Sequence, residues 1–276
     1  MKIGFIGLGS QGGGMAEMIK REGHELRVWA RRPEVLTPYL AMGAKAACSP
    51  AELAASVDIL CLCVVSDDDV REVVFDKSLL KSMTPGSILV IHSTVNPQTC
   101  IDIAKIAGPL GISVLDAPVS GSGEAALEKR LLVMVGGDKE VIERARPVFA
   151  SYGNPIYCLG SLGSGQKAKL VNNLLCIANM ELGQAALKFS EDLGMAREET
   201  RQMLLAGSGQ SFALNSIDRL VTPDSAAHVS MLFSKDINLA MDMAQQDGIN
   251  VNSLESMSIR TLQWLKRLEQ QSNNKN

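Results

Sequence analysis

Short apolar segments alternate with amphipathic segments over about the first 160 residues of the chain. Several segments are apolar at consecutive positions, as strands are when helices cover both faces of a parallel sheet. Helix-start signals separate them: Ser49-Pro50 is followed by Glu52, and Asp138 opens another helical pattern. The predicted strands are 2–7, 25–30, 58–65, 87–93, 112–118, 131–137 and 155–160. This alternation predicts a doubly wound α/β domain.

After the last predicted strand the pattern becomes helical. A stretch without proline, 165–194, predicts one helix on the order of 43 Å long. Further helices are predicted at 234–246 and 253–271. The positions of the long helix expected to face a core are Leu170, Leu174, Ile177 and Met180. We therefore predict two domains, 1–162 and 163–276.

Composition narrows the class of protein. The 276 residues are 46% hydrophobic and 21% charged, which is typical of a globular protein, and the net charge of −3 gives no general attraction to nucleic acid or anionic membranes. The longest apolar run, 59–65, is far shorter than the roughly 20 residues of a membrane span. The six cysteines lack the paired spacing of a zinc site, and the three histidines are not clustered with carboxylates. We expect a cytoplasmic protein with reduced thiols, no metal, and neither nucleic acid nor membrane as a partner.

A glycine-rich stretch follows the first predicted strand directly. Gly7, Gly9 and Gly12 form G-x-G-x-x-G at the start of a helical pattern, with Leu8, Ser10 and Gln11 between them. In a strand–loop–helix context these glycines permit a tight turn, close approach to a pyrophosphate and close helix packing. The stretch predicts a dinucleotide site, and a plain structural turn is the alternative.

The end of the second predicted strand bears on which dinucleotide binds. An NAD-binding domain usually carries Asp or Glu there to bind the ribose hydroxyls. This chain has Ala30, Arg31 and Arg32 instead. An arginine suits a 2′-phosphate, so NADP is favoured, although solvated arginines are the alternative, Glu34 could weaken the preference, and NAD stays possible.

Two later segments carry candidate chemistry. In "LDAPVSGSG", the amides of Ser120, Gly121 and Ser122 can form an anion-binding nest, or the loop can be a simple turn. In "GSGQKAKLVNN", Lys169 and Asn173 lie four residues apart on one helix face. A lysine near a helix start is disposed towards proton exchange by the helix dipole, whereas most lysines are solvated surface residues.

Four motifs, "GFIGLGSQGGGMA", "DAPVSG", "GSGQKAKLVNN" and "SKDINLA", together resemble the β-hydroxyacid dehydrogenase family. This family includes 3-hydroxyisobutyrate dehydrogenases and the tartronate semialdehyde and glyoxylate/succinic semialdehyde reductases. The resemblance covers nearly the whole chain. It implies an α/β Rossmann domain that binds NADP, followed by an all-helical C-terminal domain joined through a long interdomain helix.

The resemblance also implies roles for single residues. Lys169 falls on the general acid/base, with Asn173 as its partner, and the substrate-carboxylate loop falls on Ser120, Gly121 and Ser122. The remaining positions are cofactor contacts: Thr94 near the nicotinamide, Val64 and Val65 covering the cofactor, and Lys235, beside Asp236, as a cation on the cofactor side. A homodimer or homotetramer is implied, and the apolar faces of a long helix also need cover.

The implied activity is that of an NADP-preferring oxidoreductase. It would transfer hydride between a nicotinamide and a small β-hydroxyacid or the corresponding semialdehyde or keto acid. The alternatives are an imine reductase-like enzyme and a dinucleotide-binding protein without turnover. The sequence does not identify the substrate or the preferred direction.

The chain departs from the family pattern at three places. Gln11 replaces a common methionine, Ser122 replaces a second glycine, and Lys129-Arg130 replaces a pair of small residues. Gln11 leaves the glycines intact. The other two changes can tune the substrate loop to a different or larger acid, and surface charge is the alternative for Lys129-Arg130.

Overall fold

The computed structural model describes residues 1–76 and 78–273 of the chain. Its strands are β1 (Lys2–Ile6), β2 (Glu25–Trp29), β3 (Lys45–Ala46), β4 (Ile59–Leu62), β5 (Ile88–Ile91), β6 (Ser113–Asp116), β7 (Val119–Ser120), β8 (Leu131–Val135) and β9 (Gly153–Cys158). Its α-helices up to the middle of the chain are α1 (Gly12–Arg21), α2 (Thr37–Ala41), α3 (Pro50–Ala54), α4 (Asp67–Arg71), α5 (Leu79–Ser82), α6 (Pro97–Ala107), α7 (Gly123–Leu127) and α8 (Lys139–Phe149). The later helices are α9 (Ser164–Asp192), α10 (Arg197–Ala206), α11 (Phe212–Leu220), α12 (Ala226–Gln246) and α13 (Asn252–Asn273).

The chain divides into two compact units within α9. We call Met1–Lys169 the sheet unit and Leu170–Asn276 the helical unit. The domain limits predicted from the sequence, 1–162 and 163–276, lie before α9 and stay a prediction. The last three positions of that second domain, 274–276, lie outside the described residues.

The larger sheet of the sheet unit has the strand order β3-β2-β1-β4-β5-β6, and all its neighbouring strands are parallel. In β4, Ile59 and Cys61 belong to one apolar core, whereas Leu60 and Leu62 belong to another. Since successive side chains of a strand point to opposite faces, both faces of the sheet are covered. The predicted doubly wound arrangement is confirmed, with the strand order of a Rossmann domain.

A second, smaller sheet has the order β7-β8-β9. Strand β7 is antiparallel to β8, whereas β8 and β9 are parallel. The short strands β3 and β7 were not predicted, because two residues are too few to show a period. The strand predicted at 155–160 begins two residues earlier, at Gly153.

The helical unit has two apolar cores. The four predicted core positions of α9 are buried: Leu170, Leu174 and Ile177 in one core and Met180 in the other. The helix predicted at 234–246 in fact begins at Ala226, and Ser225 before it makes no side-chain capping bond that would mark this start. Within residues 1–76 and 78–273, no helix is both long enough and apolar enough to cross a membrane.

The imidazole of His92 is buried in the sheet unit, stacked on Phe5 with 6.3 Å between ring centroids. Nδ1 lies 2.6 Å from the carbonyl oxygen of Ala117, and Nε2 lies 3.2 Å from the hydroxyl of Tyr152. Because a carbonyl can only accept, Nδ1 carries the hydrogen and Nε2 accepts from the tyrosine. Burial lowers the pKa of His92 to about 4, although the bond to Ala117 opposes this shift.

Acid should therefore destabilise the sheet unit through His92. The unfolded chain protonates this imidazole below about pH 6.5, whereas the folded chain keeps it neutral down to about pH 4. The unfolded state then binds more protons in that range, so stability is lost as the pH falls. Between pH 8 and pH 5 we expect a loss of about 2 kcal/mol in the free energy of unfolding from this group.

Urea unfolding at the two pH values measures this loss. With Trp264→Phe as the background, Trp29 remains as the tryptophan and reports on the sheet unit. His92→Gln should reduce the pH dependence by about 2 kcal/mol, while the same change at the exposed His228 should leave it unchanged. An equal pH dependence in the His92 variant and its parent would contradict the assignment.

Candidate active site

The glycine loop joins β1 to α1 at the carboxyl end of the larger sheet. Gly7 has a φ of +98°, and a Cβ added there would lie 2.1 Å from the carbonyl oxygen of Cys63. A Cβ at Gly12 would lie 2.0 Å from the carbonyl oxygen of Gly7. A Cβ at Gly9 would meet no atom of the described chain within 4 Å. Two of the glycines therefore allow close backbone packing, and Gly9 lies on the open side of the loop.

A cavity of about 320 Å³ lies beside this loop. Its lining brings together most of the predicted cofactor residues: Gly7, Leu8, Gly9, Arg31, Arg32, Val64 and Val65. The lining does not include Ser10, Gln11 or Gly12, which continue the loop into α1. The Gly-rich loop and the end of β2 thus face one cavity.

A carboxylate also faces this cavity, and the sequence reasoning missed it. Arg31 forms an ion pair with Asp69 of α4, and Glu72 lies 3.9 Å from the same guanidinium. Partial burial raises the pKa of Asp69, but the hydrogen bonds from Arg31 and Ser66 outweigh it and bring the pKa below its ordinary value. The sequence pointed to Glu34 as the acid that could weaken the NADP preference, whereas the structure pairs Arg31 with Asp69. The acid follows β4 rather than β2, so spacing from the glycines could not reveal it.

The loop after β7 is held against the glycine loop. The side-chain amide of Gln11 donates to the carbonyl oxygen of Gly121 at 3.1 Å. A Cβ at Gly123 would lie 2.2 Å from the carbonyl oxygen of Ser10, so only glycine permits this approach. The hydroxyl of Ser122 accepts from the backbone of Ala125 and caps α7. Two departures from the family pattern thus have structural roles: Gln11 joins the loops, and Ser122 starts a helix.

The third departure lies on the surface. Lys129 pairs with Glu22 at 2.6 Å, and Arg130 forms an ion pair with Glu128. All four side chains are well exposed. These contacts support the interpretation of Lys129-Arg130 as surface charge.

The first turn of α9 is fixed by two buried polar side chains that the sequence did not single out. The carboxylate of Asp116 accepts backbone N–H groups from Gly163 and Gln166, each at 2.7 Å. The side chain of Gln166 accepts from the backbone of Val95 at 3.1 Å and donates to the carbonyl oxygen of Ser93 at 2.8 Å. Both side chains belong to residues with 0% exposure. Burial raises the pKa of Asp116, although the backbone hydrogen bonds lower it.

Thr94 lies in the segment that Gln166 holds. On one side of it, the hydroxyl of Ser93 accepts from the backbone of Val64 at 2.8 Å. On the other side, Val95 donates to Gln166. The predicted nicotinamide position is thus fixed next to a predicted cofactor-covering position.

Lys169 follows one turn after Gln166 and has 9% of its surface exposed. Desolvation raises the pKa of the Cys63 thiol to about 12, and the positive charge of Lys169 opposes this rise. Cys63 itself lines the cavity and lies beneath Gly7 and Gly12. The positive charge of Lys169 therefore acts on Cys63, which lies beneath the glycine loop.

Asn173 and the residues of the last motif meet in the helical unit. The amide nitrogen of Asn173 donates to Asp236 Oδ2 at 2.6 Å, and Nζ of Lys235 lies 3.1 Å from Oδ1. Asn172 donates to the amide oxygen of Asn173 at 3.1 Å. These contacts fix which end of the Asn173 amide is the donor.

Two family models together match nearly the whole chain. The model for the NAD binding domain of 6-phosphogluconate dehydrogenase matches residues 2–160. The model for "NAD-binding of NADP-dependent 3-hydroxyisobutyrate dehydrogenase" matches residues 163–274.

Known proteins agree with these models. The chain is 34% identical to 2-hydroxy-3-oxopropionate reductase of Escherichia coli K12, over 91% of this chain and 87% of that protein. It is 31% identical to 2-(hydroxymethyl)glutarate dehydrogenase of Eubacterium barkeri, over 90% of this chain and 84% of that protein. Among solved structures, 3-hydroxyisobutyrate dehydrogenase of Mycobacterium tuberculosis with L-serine is similar, with a TM-score of 0.83, 25% identity, and coverage of 95% of this chain and 93% of that one. The chain therefore belongs to the β-hydroxyacid dehydrogenase family, whose members are NAD(P)-dependent oxidoreductases acting on hydroxyl groups of small acids.

Proposed function

We propose that this protein is an NADP-preferring oxidoreductase of small β-hydroxyacids and their semialdehydes or keto acids, with Lys169 as general acid/base. The observation that carries this proposal is that the largely buried Lys169 lies one turn after Gln166, whose side chain is bonded to Ser93 beside the cavity of the glycine loop. The loop fits a dinucleotide, because the backbone at Gly9 is open while Gly7 and Gly12 pack too closely for any side chain. When bound, a nicotinamide dinucleotide supplies or accepts the hydride.

The substrate class follows from what the named relatives act on. The names 2-hydroxy-3-oxopropionate, 2-(hydroxymethyl)glutarate and 3-hydroxyisobutyrate share one chemical feature. Each acid carries an aldehyde or hydroxymethyl group on the carbon next to its carboxylate. We infer that this chain takes acids of the same class, and that Ser120, Gly121 and Ser122 bind the common carboxylate through backbone N–H groups.

The proton chemistry belongs to the chain's own residues. In the reducing direction the ammonium of Lys169 donates a proton to the carbonyl oxygen as that oxygen becomes an alcohol. In the oxidising direction neutral Lys169 accepts the alcohol proton. The amide nitrogen of Asn173 carries two hydrogens, so its bond to Asp236 leaves a second donor to orient the same oxygen.

Replacing Lys169 by Ala tests the acid/base assignment. We expect kcat to fall by a factor of about 10² to 10⁴, because the proton then has no positioned donor, while NADPH affinity stays nearly unchanged. Steady-state reduction of 2-hydroxy-3-oxopropionate and oxidation of 3-hydroxyisobutyrate measure the first quantity, and fluorescence titration of NADPH measures the second. Lys167→Ala is the matched control, since Lys167 is exposed on the same helix two residues away. Near-normal turnover without the Lys169 amine would end the assignment.

The cofactor preference rests on the arginines after β2. Arg31 and Arg32 line the cavity and suit a 2′-phosphate, whereas Asp69 pairs with Arg31 and repels added negative charge. We propose that the two arginines favour the binding of NADPH over NADH. Asp69 reduces the difference between the two affinities.

Variants of these residues should shift the preference in opposite directions. Arg31→Gln with Arg32→Gln should weaken NADPH binding by about tenfold or more with little effect on NADH, because charge-assisted bonds to the phosphate are lost. Asp69→Asn should strengthen NADPH binding, since it removes the competing charge and can keep the hydrogen bond to Ser66. Arg144→Gln serves as the control. Arg144 donates to the carbonyl oxygen of Gly86, which precedes β5 and therefore lies at the amino ends of the strands. Equal losses for both cofactors in the double arginine variant would refute the preference.

An apolar stripe on α9 supports a homodimer or homotetramer. Val171, Leu175, Leu182 and Phe189 are each at least half exposed. At about 100° per residue these positions fall on one narrow face of the helix. We infer that a second copy of this chain covers the stripe, because a monomer gains nothing from exposing four large apolar side chains on one helix face.

Leu182→Glu should break this assembly. A carboxylate in the centre of an apolar contact would be desolvated without a partner, so the protein should run as a monomer. Light scattering after size-exclusion chromatography measures the mass, and Lys188→Glu, an exposed change on another face of α9, is the control. A stable monomer in the parent protein, or an unchanged oligomer in Leu182→Glu, would contradict the inference.

A further inference from the structure

The beginning of α9 is attached to three strand ends of the sheet unit. Asp116 is the last residue of β6 and binds the backbone of the first turn. The side chain of Gln166 binds the segment after β5 at Ser93 and Val95. Ser93 in turn binds Val64, just after β4. All of these groups lie within the same compact unit.

The side-chain amide of Gln166 fixes the orientation of the first turn of α9, because it makes two different hydrogen bonds. Its amide oxygen accepts from one backbone N–H and its amide nitrogen donates to one backbone carbonyl. The residue is completely buried, so water cannot replace either bond if the side chain is removed. A different rotation of the first turn of α9 would leave both backbone groups without partners.

Gln166 and Lys169 are one turn apart, so they project from the same side of α9. Rotating or lifting the turn that carries Gln166 would therefore move the lysine as well. Lys169 belongs to the same compact unit as the strand ends that hold Gln166.

We propose that Gln166 is a positioning residue for Lys169: its two buried hydrogen bonds, with Asp116 holding the same turn, set the lysine amine against the glycine loop. This proposal rests on the function of Lys169 proposed above. Gln166 contacts the strand-end loops and acts on proton transfer only through Lys169. A displacement of about 1 Å is enough to cost a positioned catalytic group on the order of 10²-fold in rate.

The first test reads the position of the lysine without turnover. Gln166→Met keeps the length of the side chain and removes both hydrogen bonds. Competitive acetylation of the cofactor-free protein, followed by mass spectrometry, compares the acylation of Lys169 with that of the exposed Lys167 in the same molecule. We expect the Lys169:Lys167 ratio to rise by about threefold or more, because the buried amine is no longer held in place. An unchanged ratio would overturn the proposal.

The second test is a double-mutant cycle. Gln166→Met alone should lower kcat by about 10²-fold with little change in the Kd for NADPH. In the Lys169→Ala background the same change should have almost no further effect on the residual rate, since the group it positions is already gone. A drop of similar size in both backgrounds would overturn the proposal and assign Gln166 a general structural role.

Two further variants serve as a matched control and as an independent way to weaken the same anchor. Gln98→Met makes the same chemical change at an exposed glutamine of α6 and should affect neither the acetylation ratio nor kcat. Asp116→Asn weakens the same anchor without changing the Gln166 side chain, so it should reproduce the acetylation and kcat changes even if Gln166→Met does not fold. If Lys169→Ala proves fully active, the proposed function fails, and the acetylation ratio still decides whether Gln166 fixes the lysine.

Discussion

A carboxylate with no exposed surface, that of Asp116, determines where the longest helix of this protein begins. Burial of a charge is costly unless hydrogen bonds replace the water that it loses. Asp116 meets this requirement with backbone N–H groups from the start of α9, which are groups that a helix cannot satisfy by itself. The end of β6 and the start of α9 therefore stabilise each other. This contact also sets the position of Lys169, because Lys169 follows within the next turn of the helix.

A second constraint joins the glycine loop to the loop that follows β7. Gly123 approaches the carbonyl of Ser10 so closely that a side chain is excluded, and Gln11 bonds to Gly121. These loops are the proposed sites for the cofactor phosphates and for the substrate carboxylate. Their direct contact means that a shift of one loop is transmitted to the other. A methionine at position 11 could not donate this bond, because its side chain has no N–H or O–H group.

The sequence predicted those features that have a local signal. The buried strands follow from runs of apolar residues, and the glycine loop follows from the spacing of its glycines between a strand and a helix. The 29-residue α9 follows from a long helical pattern without proline. The doubly wound order follows from the alternation of strands and helices. Contacts between distant residues left no such signal. Asp69 lies 38 positions after Arg31, and Gln166 lies 50 after Asp116, so neither partner could be inferred from spacing. The sequence therefore pointed to the candidate residues of the site but not to the hydrogen bonds and ion pairs that hold them in place.

We propose that the Lys169 amine lies beside the glycine loop, within hydrogen-bonding distance of the reacting oxygen. The most direct measurement is a crystal structure of this protein with NADP⁺ and a β-hydroxyacid bound. We expect a distance of about 3 Å between Nζ of Lys169 and the substrate hydroxyl oxygen, with Gln166 still bound to Ser93 and Val95. A substrate hydroxyl that contacts another acid or base, with the Lys169 amine beyond about 6 Å, would rule out Lys169 as the acid/base.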